Sequence, residues 1–130
     1  MLKTYLAVMF GGALGTALRF WLSGVLAARY SETFPIGTLV VNITGCFVIG
    51  FFNTLTGSEG SFFASSLTRQ VVMIGVLGGY TTFSSFSLQT LNLLHGGEWL
   101  RAGMNVLLSV VLCLVGVWLG HVLASLINQR

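Results

Sequence analysis

Apolar residues fill four long stretches of the chain, and short polar segments separate them. The stretches cover about residues 4–28, 36–55, 67–94 and 100–125. Each is long enough to cross a bilayer as an α-helix, which takes about 20 apolar residues. The regular alternation of polar and apolar positions that marks a membrane β-strand is missing. The pattern therefore predicts an all-α membrane protein with four transmembrane helices, forming one integral membrane domain over residues 1–130.

Three short segments separate the predicted helices. Residues 31–33 (Ser-Glu-Thr) lie just before Pro35, which is expected as the first residue of the second helix because proline fits that position. Residues 57–61 (Gly-Ser-Glu-Gly-Ser) end the second helix, and residues 95–98 (His-Gly-Gly-Glu) form a tight turn between the third and the fourth. These connections are too short to hold a soluble catalytic domain.

The composition agrees with a surface that faces lipid. Only 7% of the residues are charged and 55% are hydrophobic, whereas a soluble domain carries about 25% charged residues. Membrane lipid is therefore an expected partner. The formal net charge of +3 is small and scattered along the chain, so nucleic acid is not an expected partner.

The positive residues near the helix ends bear on the orientation in the membrane, because the cytoplasmic side normally carries the excess of Lys and Arg. They divide almost equally between the two sides, with Lys3, Arg69 and Arg130 on one and Arg29 and Arg101 on the other. A weakly biased single orientation and dual topology both remain open. Dual topology would permit an antiparallel homodimer.

Small residues inside the predicted helices favour close helix packing. Glycines lie four residues apart in three of the helices, at Gly11 and Gly15, Gly75 and Gly79, and Gly116 and Gly120. Such pairs allow helices to approach closely within one subunit or between subunits, and the sequence does not distinguish the two. Cys46 and Cys113 also lie inside apolar stretches, where they are expected to be packing residues and not disulfide or metal ligands.

The three acidic residues exclude some functions. Glu32, Glu59 and Glu98 all fall in predicted connections. Proton-coupled transporters usually keep an ionisable carboxylate inside the membrane, and the predicted helices contain none. No nucleophile has a base beside it within a helix, so the protein is not expected to be an enzyme.

The third stretch contains a segment that disfavours a continuous helix. Residues 75–87 combine the adjacent glycines Gly78 and Gly79 with Thr81, Thr82 and several serines, and these residue types weaken an α-helix. A break near mid-membrane would free carbonyl oxygens, which are ligands for a small hard cation. The alternative is a kinked helix in which the hydroxyls bond back to their own backbone.

Two phenylalanines follow this segment and share one helix face. Phe83 and Phe86 are three residues apart, and a phenyl ring carries positive potential at its edge. Ring edges can therefore contact an anion without supplying a full charge, although contact with lipid is the usual role of such rings. Polar neighbours such as Ser84 favour a lined pathway.

Two other helices carry polar side chains in a matching pattern. Thr38 and Asn42 lie four residues apart in the second helix, and Asn105, Ser109 and Cys113 form an i, i+4, i+8 track in the fourth. Each residue could serve as interhelical glue, worth about 0.6 kcal/mol on average. Together they would instead line a narrow polar path that has donors and no fixed charge.

Three segments resemble one known family in order, spacing and helix placement. Residues 11–20 (GGALGTALRF), 37–45 (GTLVVNITG) and 78–87 (GGYTTFSSFS) are similar to the Fluc (CrcB) fluoride channels. The resemblance implies a small dual-topology protein that forms an antiparallel homodimer in the bacterial plasma (inner) membrane. It also implies passive conduction of fluoride out of the cell, which lowers fluoride toxicity.

The resemblance further implies roles for individual residues. Gly78 and Thr81 would donate backbone carbonyls to a structural sodium ion at the dimer centre. Phe83 and Phe86 would present ring edges to fluoride, and Asn42 would donate its amide. The predicted fluoride path comprises Asn42, Phe83, Phe86, Thr38, Ser84, Asn105, Ser109 and Cys113.

Three positions qualify this resemblance. Cys113 replaces a hydroxyl that is often seen in the family, and Gln89 replaces a frequent glutamate. Arg19 matches the family's first-helix arginine, where it would either recruit anions at the pore mouth or make a structural hydrogen bond.

Two other functions are compatible with four small helices. A dual-topology multidrug exporter would need a glutamate within the first helix, which here contains Arg19 and no acid. A non-transporting membrane assembly subunit would explain the glycine faces but not the broken, hydroxyl-rich third helix.

Overall fold

The computed structural model describes residues 1–30 and 33–129. Four stretches of the described chain are long and apolar enough to cross a membrane, and the third, Ser66–His95, is interrupted. This confirms the predicted all-α fold with four spans. The elements in chain order are α1 (Leu2–Arg29), α2 (Ile36–Leu55), α3 (Ser66–Gln70), a π-helical segment (Val71–Val76), α4 (Leu77–Tyr80), α5 (Phe83–His95) and α6 (Trp99–Asn128).

The second helix has its predicted bounds, and the other three spans differ from the predicted ones by one to three residues at their ends. Pro35 is the N-cap of α2 and not its first helical residue, because its ψ of 58° lies outside the helical region. Gly97 has a φ of +74°, which lets the chain turn from α5 into α6 within the predicted tight turn. Ser31 and Glu32 of the first connection, and Arg130, lie outside the described residues.

The third crossing is broken where the sequence predicted it. The helix ends at Tyr80, and Thr81 and Thr82 are extended, with ψ of 157° and 112°. The hydroxyl of Thr82 then caps α5 by accepting a hydrogen bond from the Ser85 N–H at 3.2 Å. The π-helical segment upstream of the break was not predicted.

The glycine pairs bring helices together within the subunit. A Cβ built on Gly15 would lie 1.9 Å from the carbonyl oxygen of Val76, and one on Gly120 would lie 2.1 Å from that of Phe47. The first contact joins α1 to the third crossing, and the second joins α2 to α6. Gly75 and Gly79 lie on the other side of the first contact, against Val8 and Gly12 of α1. All three glycine pairs therefore pack within the chain, one of the two uses that the sequence left open.

We expect Gly120→Ala to destabilise the protein, by about 1–3 kcal/mol, because the new methyl group would force α2 and α6 apart. A Cβ on Gly103, in the same helix, meets nothing within 4 Å. Gly103→Ala is therefore the matched control, and it should be neutral or stabilising by up to about 1 kcal/mol. Thermal unfolding in detergent measures both variants, and equal midpoints would contradict the packing described.

Candidate functional site

The break in the third crossing is held by a side chain from α2. The Asn42 Nδ2 donates to the Thr82 carbonyl at 3.0 Å, and the Thr82 N–H donates to the Asn42 Oδ1 at 2.8 Å. One amide thus satisfies both backbone groups of a residue that lies outside the helix. A backbone group without a hydrogen-bond partner is costly in a membrane. An amide nitrogen carries two hydrogens, and this pairing uses one of them.

Side chains from α1 bind the C-terminal end of α4, just before the break. The Gly79 carbonyl accepts from the Arg19 Nε at 3.1 Å and from the Thr16 hydroxyl at 3.4 Å. A guanidinium at the C-terminal end of a helix also interacts favourably with the helix dipole. Arg19 therefore makes a structural hydrogen bond, one of the two roles expected for it.

The break releases two backbone carbonyls. In a continuous helix the Gly78 carbonyl would accept from the N–H of Thr82, which instead bonds to Asn42. The Thr81 carbonyl would accept from the N–H of Ser85, which bonds to the Thr82 hydroxyl. The two carbonyls assigned to a cation in the sequence analysis are therefore free of these helical partners.

A groove of about 450 Å³ runs along the break, between α2, the third crossing and α6. We call it the central groove. It brings together seven residues singled out from the sequence, namely Asn42, Gly78, Thr81, Phe83, Phe86, Ser109 and Cys113. The groove wall is mostly apolar, so it offers few polar groups.

The two phenylalanines pack on one another at the start of α5. Their ring centroids are 5.2 Å apart and the rings are inclined by 55°, so they are not stacked face to face. Phe86 is buried, with 8% of its surface exposed, whereas Phe83 is 77% exposed. Phe83 thus stands out from the subunit and leaves a large apolar surface uncovered.

A second and larger cavity, of about 710 Å³, lies on the other side of Thr82. We call it the vestibule, and its polar lining includes Arg19, Thr38, Thr82, Ser85, Gln89 and Asn92. Gln89 donates from Nε2 to the Thr38 hydroxyl at 2.9 Å, and its Oε1 is buried with no partner. Since Thr82 lines both cavities, the break separates the vestibule from the central groove.

Two residues of the predicted path lie apart from both cavities. Ser84 is exposed, and its hydroxyl is 3.2 Å from that of Thr82. Asn105 is buried and donates to the Thr90 hydroxyl at 2.9 Å, which in turn donates to the Phe86 carbonyl. Asn105 therefore joins α6 to α5 and fixes the backbone that carries Phe86.

The polar face of α5 was not predicted from the sequence. Thr82, Ser85, Gln89 and Asn92 line the vestibule. Their spacing of three, four and three residues places them on one side of a helix. That periodicity is present in the sequence, but Thr82 was predicted only as part of the break and Gln89 only as a difference from the family.

Four apolar spans, an interrupted third helix and two cavities that meet at the break define a small multi-pass membrane protein. The chain belongs to the CrcB family, because the family model described as "CrcB-like protein, Camphor Resistance (CrcB)" matches residues 6–121. This confirms the resemblance found in the sequence.

Relatives of nearly the same length carry one name, fluoride-specific ion channel FluC. Those of Opitutus terrae and Rhodospirillum rubrum are each 61% identical to this chain, over 98% and 97% of it and over 97% and 98% of their own lengths. The relative from Methylocella silvestris is 58% identical over 96% of this chain and 95% of its own length.

Proposed function

We propose that this protein is a passive, fluoride-selective anion channel that exports cytoplasmic fluoride across a bacterial inner membrane. The observation that carries the proposal is the 61% identity, over almost the whole chain, to relatives named for that activity. The protein carries out no chemical reaction. It lowers fluoride toxicity by letting the ion leave down its own gradient.

The vestibule and the central groove supply the groups that a fluoride pathway needs. Fluoride is small, strongly hydrated and a strong hydrogen-bond acceptor, so a pore must replace its water with donors that bind weakly enough to release it. Arg19 and Thr38 offer such donors in the vestibule. Beyond the break, the second Asn42 N–H and the ring edges of Phe83 and Phe86 would continue the path.

The absence of acidic groups from the described spans supports an anion pathway. Glu59 and Glu98 lie outside the helices that cross the membrane. Glu98 lines the vestibule, and its carboxylate is 3.3 Å from the Arg101 guanidinium. Its negative charge is therefore partly offset where an anion would pass.

A second, antiparallel copy would complete the central groove. The groove is open along one side of the subunit, and the exposed Phe83 ring lies on its wall. In a two-fold dimer each copy offers the same surface, so the paired grooves would enclose a path away from lipid. The near balance of positive residues between the two sides is compatible with dual topology.

The same dimer would hold the structural sodium ion. Gly78 and Thr81 supply two released carbonyl oxygens from one copy, and hard cations take more oxygen ligands than two. A two-fold axis through the groove would double the number to four. The ion would then favour an anion nearby without blocking its path.

Efflux from liposomes tests the proposed function. Vesicles that contain only the purified protein should release internal fluoride far faster than empty vesicles. They should release chloride no faster than empty vesicles do. Fluoride release at the rate of empty vesicles would overturn the proposal. Equal release of both anions would remove the selectivity and leave only a general anion pore.

A further inference from the structure

Two cysteines line the wall of the central groove. Cys46 lies on α2 and Cys113 on α6, and both are half-buried free cysteines that line the groove. Each was expected from the sequence to be a packing residue. The sequence separates them by 67 positions, so the packing of α2 on α6 is what places both side chains on one groove.

The helix packing beside the two cysteines is tight. Gly50 is four residues after Cys46, and a Cβ built on it would clash with the carbonyl oxygen of Val117, which is four residues after Cys113. The backbones are therefore nearly in contact one turn away from the thiols. Two ligands held at a fixed separation bind an ion with little loss of conformational freedom.

We propose that Cys46 and Cys113 form a two-coordinate binding site for a soft divalent metal ion such as Hg²⁺. Thiolates are soft ligands and select soft metals. On binding, two S–H bonds break, two S–Hg bonds form and two protons pass to water. The two thiolate charges cancel the charge of the ion, so no net charge remains in the groove.

Charge and ligand number disfavour other metals at this site. A monovalent ion bound by two thiolates would leave one negative charge in apolar surroundings, which is costly. Zinc normally takes four ligands, and the described residues contain no cluster of three or more His, Cys, Asp or Glu side chains. Met73 also lines the groove, but its thioether is not a ligand in the proposed two-coordinate site.

An ion at this site would lie on the proposed fluoride path. Ser109 is one helical turn before Cys113, and both line the groove with Phe83 and Phe86. We therefore expect the bound metal to inhibit fluoride efflux. This consequence depends on the proposed function, whereas the binding site itself does not.

Direct measurement of bound metal tests the site. Purified protein receives one equivalent of Hg²⁺ per chain, unbound metal is removed with a competing thiol on a desalting column, and the retained mercury and the remaining free thiols are counted. The wild type should retain one ion and lose both thiols. Cys46→Ser and Cys113→Ser should each bind at least about 100-fold more weakly, because one linked ligand is lost. Met73→Leu, the matched control, should retain the ion.

Two outcomes would overturn the site. Equal retention by the wild type and by the Cys46→Ser/Cys113→Ser double variant would place the mercury elsewhere. Retention by either single variant at the wild-type level would show that the two thiols do not act together.

Efflux from liposomes tests the position of the site on the path. Each protein's rate with Hg²⁺ is divided by its own rate without the metal. The wild type should be inhibited and should recover with a dithiol, whereas the double variant should be insensitive. Binding without inhibition would contradict the position on the path. No fluoride efflux from metal-free wild type would overturn the proposed function and leave the binding result standing.

Discussion

Fluoride efflux should fall at least about tenfold when Phe83 or Phe86 is replaced by isoleucine, since losing about 1.4 kcal/mol of stabilisation along a path slows passage by that factor. Isoleucine keeps an apolar side chain but has no ring edge to present to an anion. The two rings lie together on the groove wall, with centroids 5.2 Å apart. Liposome efflux with a fluoride electrode measures the effect.

The two phenylalanine variants require different controls. Phe83 is 77% exposed and Phe86 only 8%, so Phe86→Ile also leaves a small cavity and should lower stability. Thermal unfolding separates that effect from a loss of conduction. Phe10→Ile is the matched control, because Phe10 is 69% exposed on α1 and lines neither cavity. Wild-type efflux from both test variants would remove the rings from the path.

Asn42→Asp should reduce fluoride efflux to the level of empty vesicles. The variant keeps the oxygen that accepts from the Thr82 N–H, but it loses the amide hydrogens, one of which holds the Thr82 carbonyl. An ionised carboxylate would also repel an anion, and its position inside the membrane costs about 2.5–3.5 kcal/mol on insertion scales. We therefore expect a lower unfolding temperature together with the loss of efflux.

The control for Asn42→Asp is the same substitution at the end of α2. The Asn53 Oδ1 accepts from the Arg69 guanidinium at 2.8 Å, so a carboxylate at position 53 would gain an opposite charge beside it. Asn53→Asp should fold and conduct like the wild type. If Asn42→Asp conducted equally well, neither the amide donor nor the charge at position 42 would matter to fluoride.

The sequence predicted the features that depend on local composition. Long apolar stretches were enough to place four spans, because each must satisfy its backbone within itself. The adjacent Gly78 and Gly79, followed by Thr81 and Thr82, were enough to place the break. The prediction that Pro35 is the first residue of α2 was wrong by one residue, because Pro35 is the N-cap. Proline suits both the N-cap side and the first turn of a helix.

Contacts between helices were not predictable in the same way. The pairing of Asn42 with Thr82 spans 40 positions, and Cys46 and Cys113, which line the same groove, are 67 positions apart. Both depend on the axial register of the packed helices, which is set by side-chain packing over the whole interface. The residue types of the π-helical segment Val71–Val76 likewise do not distinguish it from an α-helix.

The two hydrogen bonds between the Asn42 amide and the Thr82 backbone have a consequence for how the protein is inserted into the membrane. Two backbone groups of Thr82 would enter the bilayer unpaired if the third crossing were inserted alone, at several kcal/mol for each group. α2 is synthesised before that crossing, because residue 42 precedes residue 82 in the chain. The amide is thus already in the membrane when the interrupted helix arrives, and synthesis proceeds in the order that assembly requires.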